Sequence, residues 1–244
     1  MKMNLYLNRI ICGDCLEVMR DMPDASVDLI ITSPPYNLRN TTGHALLSGS
    51  NKWNGLQHGY SHYDDCMLHE EYVQWQRACL NEMLRLLKDD GAIFYNHKWR
   101  VQGGLMQDRQ DIVGGFPIRQ TIIWQRAGGM NFNDRFFLPT YEVIYLIAKP
   151  NFKLIPKANG VGDVWRFNQD LNNPHPAPFP IALPERIIGS TNAEIVLDPF
   201  MGSGTTAVAA KKLKRQYIGI ELSPDYCAMA EARVQNTQPL LDIA

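Results

Sequence analysis

Short apolar runs alternate along this chain with longer stretches in which apolar positions recur every three or four residues. VDLIIT, AIFYN, TIIWQR, YEVIYLIAK, EIVLDPF and QYIGIEL are short and mostly rich in β-branched and aromatic residues, so each predicts a strand. EEYVQWQRACLNEMLRLLKDDG, PERIIGST, TTAVAAKKLK and PDYCAMAEARVQN carry helical spacing. Strand and helix taking turns is the rhythm of βαβ units, in which parallel strands lie side by side under helices. The expected class is therefore α/β, as a single domain over residues 1–244 with no internal repeat. Residues 38–69, rich in Asn, Gly, Ser and His, and 150–180, with clustered Pro and Asn, are expected to be long loops that contact a ligand or close a pocket.

Composition narrows this picture. With 244 residues, 45% hydrophobic and 10% aromatic, the chain can bury one sizeable core. No apolar run approaches the roughly 18 residues of a membrane span, and MKMNLYLNRI lacks a signal peptide's apolar core, so a cytoplasmic protein is expected. A net charge of -1 and a pI near 6.6 exclude a wholly basic nucleic-acid-coating protein. They leave room for a local basic face, for which Lys98, Arg100, Arg109, Arg119, Arg126 and Arg135 are candidates. Lys211, Lys212, Lys214 and Arg215 read instead as a solvated helix end. Cys12 and Cys15 form a CGDC pair, but Cys66, Cys79 and Cys227 offer no second close pair, so no structural metal site is expected and the thiols are read as reduced.

Two strand ends carry chemistry. VDLIITSPPYN, residues 27–37, stops at a hydroxyl, two prolines and a tyrosine, where a Pro-Pro pair alone would only punctuate. IVLDPFMGSGTT, residues 195–206, runs from strand through a glycine-rich turn into a helix. There Gly202 and Gly204 permit close backbone approach, Ser203 or Thr205 can cap the helix, and Glu221, ending the next strand, can hold ribose hydroxyls. The full GxGxxG pattern is missing, and Asp198 would repel a pyrophosphate. A carboxylate there suits a cofactor with positive charge, such as S-adenosylmethionine with its amino group and sulfonium.

TSPPY near one end and DPFMGSGTT near the other together resemble the DNA amino-methyltransferases, in the β-type order with the catalytic motif first. The resemblance extends to GDC at 13–15, LLKDDGAIFYN at 86–96 and HPAPFPIALPERII at 175–188, and so covers nearly the whole chain. It implies a Rossmann-like methyltransferase fold, with a mostly parallel central sheet, an antiparallel edge strand and helices on both faces. It also implies S-adenosylmethionine as cofactor and double-stranded DNA as partner, with no metal and no membrane. An exocyclic base amine is a poor nucleophile because its lone pair is delocalised into the ring. By the resemblance, the Ser33 side chain and the Pro34 carbonyl accept its protons, while Pro34 and Pro35 hold the turn rigid. Tyr36 would stack on the base once it is swung out of the duplex. Asp198, Pro199, Phe200, Gly202, Ser203, Gly204 and Thr205 are implied around the methionine and adenosine, with Glu221 on the ribose, Asp14 and Cys15 near the adenine, and His175 to Pro180 closing the methionine pocket. Read alone, His175 fits equally a loop histidine bonded to backbone.

Serine at the first motif position favours N4-methylation of cytosine, with adenine N6 as the alternative, since family members with Asp there mostly act on adenine. RNA or protein-glutamine methylation is a more distant alternative, because those families place the cofactor motif first. The intact TSPPY speaks against a catalytically dead DNA-binding subunit. The segment between YEVIYLIAK and HPAPFP, where such enzymes usually carry target recognition, is only about 25 residues here. DNA reading must then draw on 38–69 and on GGMNFNDRFF at 128–137, or reach few bases, or use a homodimer.

Overall fold

Parallel strands buried on both faces need apolar residues on both, and VDLIIT supplies them: Leu29, Ile30 and Ile31 are all buried within β2 (Val27–Thr32). This strand lies near the middle of an eight-stranded sheet in the computed structural model, which describes residues 3–37, 67–102, 105–126, 134–168 and 179–240. The strand order is β1 (Arg9–Cys12), β10 (Gln216–Glu221), β9 (Ile195–Asp198), β2, β3 (Leu87–His97), β7 (Tyr141–Ala148), β6 (Ile118–Gln125) and β8 (Val164–Arg166). Every neighbour from β1 to β3 is parallel; β7 runs antiparallel to both β3 and β6, and β8 is parallel to β6. The antiparallel strand expected at an edge is thus β7, with β6 and the short β8 outside it.

Alternation along β2 divides the core. Ile30 joins Ile93, Tyr95 and Ile218 under α1 (Cys15–Asp21), α2 (His69–Leu86) and the single turn α3 (Gln110–Val113). Leu29 and Ile31 join Phe94, Leu146 and Val196 under α4 (Ala182–Gly189) and α5 (Thr205–Lys212), and α6 (Pro224–Gln235) packs on α5. No helix among the described residues is long and apolar enough to cross a membrane.

The structure departs from the sequence reading at several points. β3 follows α2 without a loop and runs through KDDG, because Lys88 pairs with Asp28 at 2.6 Å and Gly91 lies where a Cβ would stand 2.9 Å from the Asp28 carbonyl oxygen. The expected loop at 150–180 contains β8, whose partner is β6, and a 3-10 turn at Ala158–Gly160. A two-stranded ribbon of β4 (Arg100–Gln102) and β5 (Leu105–Gln107) follows β3. Of the other expected loop, residues 38–66 lie outside the described residues and α2 opens at His69.

The strand directions bring β1, β10, β9, β2 and β3 to one edge of the sheet with their C-termini, and β7, running the other way, starts at that same edge. Ligands of open α/β sheets bind outside these carboxyl ends.

Candidate active site

At the end of β2 the chain turns through Ser33, Pro34, Pro35 and Tyr36. Ser33 Oγ lies 2.6 Å from the Tyr36 hydroxyl, which donates to Glu142 Oε2 at 3.0 Å. Asn96, near the end of β3, donates through Nδ2 to Tyr36 Oη at 2.8 Å and Glu142 Oε2 at 2.9 Å, and reaches Ser33 Oγ at 3.3 Å. Glu142 arrives from β7 because Asn96 pairs with Ile144, which makes Glu142 the diagonal neighbour of Asn96 on the same face.

The two prolines differ in their carbonyls. That of Pro35 accepts the Tyr72 hydroxyl at 2.8 Å, and Tyr72 Oη is also 2.7 Å from His97 Nε2. The Pro34 carbonyl accepts no hydrogen bond among the described residues, so it keeps its lone pairs for a ligand. The Tyr36 ring stacks on His97, with centroids 4.9 Å apart and planes at 30°, and is 6% exposed. A base meeting this ring must therefore use the face opposite His97, with the hydroxyl still tied to Ser33 and Glu142. Burial, then the charges of Arg109 and Arg100, hold His97 well below the ordinary imidazole pKa, so it is a neutral support. Arg100 fixes the exit of the turn by donating to the Asn37 carbonyl at 2.8 Å.

The second turn is fastened to the first. Asp198 is buried, and its Oδ1 accepts Thr32 Oγ1 at 2.7 Å and the Phe200 amide at 3.0 Å, while Oδ2 accepts Thr206 Oγ1 at 2.6 Å. Asp198 thus joins β2 to the glycine turn rather than facing a ligand freely. Burial pushes its pKa up to about 6, against the three hydrogen bonds, which pull it down. The folded carboxyl binds its proton more tightly than an unfolded one near 3.8, so its contribution to stability is complete below about pH 4 and is lost as pH rises through about 6. A shift of about two units corresponds to at most about 3 kcal/mol. Asp198→Asn should lack this loss, so its melting temperature relative to wild type should rise between pH 4.5 and 7.5. A difference that stays flat across that range would show that the carboxyl does not titrate there.

Gly204 has φ +88°, and a Cβ on it would lie 2.8 Å from that of Ala230, so the turn admits only glycine. Gly204 itself is the N-cap of α5. Neither Ser203 nor Thr205 caps this helix, contrary to expectation, because Arg233 on α6 donates to both hydroxyls, at 2.8 and 3.3 Å. Glu221 braces the turn, with Oε2 accepting the Gly202 amide at 2.8 Å and Oε1 that of Ser223 at 2.9 Å. Asp14 caps α1 through Oδ1, on the amides of Leu16 and Glu17. Cys15 is buried with its sulfur 3.8 Å from that of Cys79. Pro199 is buried, and Phe200 is half-buried, its ring meeting Trp75 edge to face at 5.6 Å. His175 lies outside the described residues.

The sequence reading missed Glu142, Asn96, Thr32, Thr206 and Arg233. Thr32 and Thr206 lie inside the quoted motifs TSPPY and IVLDPFMGSGTT, so the signal was there; Glu142 and Asn96 sit in apolar strands where one polar residue reads as alternation. The basic candidates are mostly consumed inside the protein. Arg100 and Arg109 are buried, Arg119 holds the carbonyls of Lys149, Pro150 and Phe152, and Arg126 faces Glu142 at 3.7 Å.

A sequence profile of a DNA methylase family matches residues 27–232. The type II methyltransferase M.BglII of Bacillus subtilis is 30% identical, over 92% of this chain and 68% of its own length. Among solved structures, the cytosine-N4-specific PvuII DNA methyltransferase has a likeness of fold, with a TM-score of 0.72 at 21% identity over 96% of this chain and 87% of that one. The M1.HpyAVI–SAM complex aligns with a TM-score of 0.61 at 25% identity, over 93% of this chain and 98% of that one.

Proposed function

This chain belongs to the DNA methylase family of N6- and N4-methyltransferases, which use S-adenosylmethionine, and we propose that its own target is the N4 amine of cytosine in double-stranded DNA. The observation that carries this reading is the bond from Thr32 to Asp198, which sets an amine-accepting turn directly beside a glycine-rich turn. Adenine N6 is the alternative target, and the neutral Ser33 at the first motif position supports cytosine.

The residues present fit the cofactor. Asp14 follows β1 and Glu221 ends the adjacent β10, which places two carboxylates at neighbouring strand ends for hydroxyl and amino groups, and the positive φ at Gly202 and Gly204 lets a ligand approach the backbone. Phe200 with Trp75 offers an aromatic wall, and Asp198 shapes the turn between them. S-adenosylmethionine supplies the methyl group, on a sulfonium that leaves as a neutral thioether. Ser33 Oγ and the Pro34 carbonyl accept hydrogen bonds from the two N–H groups of the target amine, drawing its lone pair out of the ring toward the tetrahedral form that can attack. Both prolines keep these acceptors in place before the base arrives. Tyr36 stacks on the extruded base from the side away from His97.

DNA treated with enzyme and labelled cofactor, digested to nucleosides and weighed by mass spectrometry, should contain label in N4-methylcytosine. Label confined to N6-methyladenine would replace the base while keeping the chemistry. Label in RNA or protein but not in DNA would overturn the reading.

A further inference from the structure

We infer that Ser33, Tyr36 and Glu142 form a proton relay that carries the surplus amine proton away from the methylated base and ends on the Glu142 carboxylate. This rests on the methyl-transfer reading given above. The direction follows from counting protons. Tyr36 has one, and the geometry gives it to Glu142 Oε2 at 3.0 Å. In the 2.6 Å contact between Ser33 Oγ and Tyr36 Oη, Ser33 must then be the donor. Asn96 occupies the remaining acceptor position on Tyr36 Oη and steadies Glu142 Oε2, leaving every group in the chain with a partner.

The chemistry balances without any further reagent. When the amine nitrogen spends its lone pair on the new N–C bond it becomes positively charged and must lose one proton. That proton passes to Ser33 Oγ, the Ser33 proton to Tyr36 Oη and the Tyr36 proton to Glu142 Oε2, so Ser33 and Tyr36 end neutral and unchanged. Glu142 returns to the carboxylate by releasing the proton once product leaves. A serine hydroxyl alone is too weak a base to keep a proton near neutral pH; backed by a carboxylate it need only pass one on. Glu142 touches no substrate and acts through the other two, as a positioning residue. Among the described residues, the charged and titratable groups facing it are Arg126 from the end of β6, Lys98 beyond β3, and Tyr36 from the turn after β2.

The test compares Glu142→Gln, Tyr36→Phe and the double variant with wild type, using labelled S-adenosylmethionine and DNA. Gln keeps an acceptor for Tyr36 but cannot take a proton, and Phe keeps the stacking ring while breaking the chain. Each single variant should lower kcat by about 100-fold, in the range of lost general-base catalysis, with little change in KM for DNA. Cofactor affinity by calorimetry and melting temperature should stay near wild type. The double variant should be no slower than either single one, because removing two links of one chain costs no more than removing one. The acid limb expected in the pH profile of wild-type kcat should be absent in Glu142→Gln. Wild-type kcat in Tyr36→Phe, losses that multiply in the double variant, or an unaltered acid limb in Glu142→Gln would each overturn the relay while leaving methyl transfer intact. Wild-type protein that labels no DNA would overturn the reading on which the relay rests, and the relay with it.

Discussion

Replacing Ser33 by alanine should lower methyl transfer to DNA by about two to three powers of ten, the usual cost of removing one preorganised transition-state acceptor. The fold should survive. Ser33 is only half-buried, and Tyr36 keeps Asn96 as donor and Glu142 as acceptor when the serine hydroxyl is gone. Cofactor affinity should hold as well, since the cradle contacts β2 through Thr32 rather than Ser33. The measurement is single-turnover transfer of labelled methyl at saturating cofactor and DNA, alongside calorimetry. A rate equal to wild type would leave the Pro34 carbonyl as the sole acceptor from this turn.

Asp198→Ala should remove most of the affinity for S-adenosylmethionine, through the shape of the turn rather than through a lost ligand contact. The substitution strands two buried hydroxyls and the Phe200 amide, each costing about 1–3 kcal/mol if it finds no new partner. Those groups hold the end of β2, the backbone before the glycines and the start of α5. Loosening them by about 3 kcal/mol in the bound geometry alone would weaken binding by about a hundredfold. Asp198→Asn, which keeps the shape and one acceptor, should bind far better than alanine. Calorimetry on variants checked for folding by circular dichroism decides the matter. Unchanged affinity in a folded Asp198→Ala protein would mean that the cofactor sits elsewhere.

The sequence was readable where local pattern and tertiary role agree. EEYVQWQRACLNEMLRL became α2 and IVLD-turn-TTAVAAKK became β9 and α5, because an amphipathic face and a glycine turn declare themselves in neighbouring residues. β4, β5 and β8 went unseen: three residues each, they are strands only by virtue of partners brought from elsewhere. β1 escaped for a related reason, since RIIC is four residues at a sheet edge with no fully buried position. α1 did carry a signal, Asp14 before an apolar repeat, since an aspartate there forms the N-cap. In the site, the turn chemistry of SPPY was plain, while Glu142 was not, because its role depends on the register of β7 against β3, which no local pattern encodes.

Strands β10 and β9 sit between β1 and β2, so the first two strands made are parted by the last two. The bond joining the two motifs spans 166 residues of sequence. On a ribosome, β2 therefore emerges with one side paired to β3 and the other bare, an inner strand behaving as a raw edge until β9 follows. Closing contacts so distant is slow, and it leaves apolar Leu29 and Ile31 in search of a neighbour throughout synthesis. A chain that stops before β9 and β10 would keep β2, β3, β7, β6 and β8 side by side with β1 detached, and would lack the glycine-rich turn that the proposed function assigns to the methyl donor.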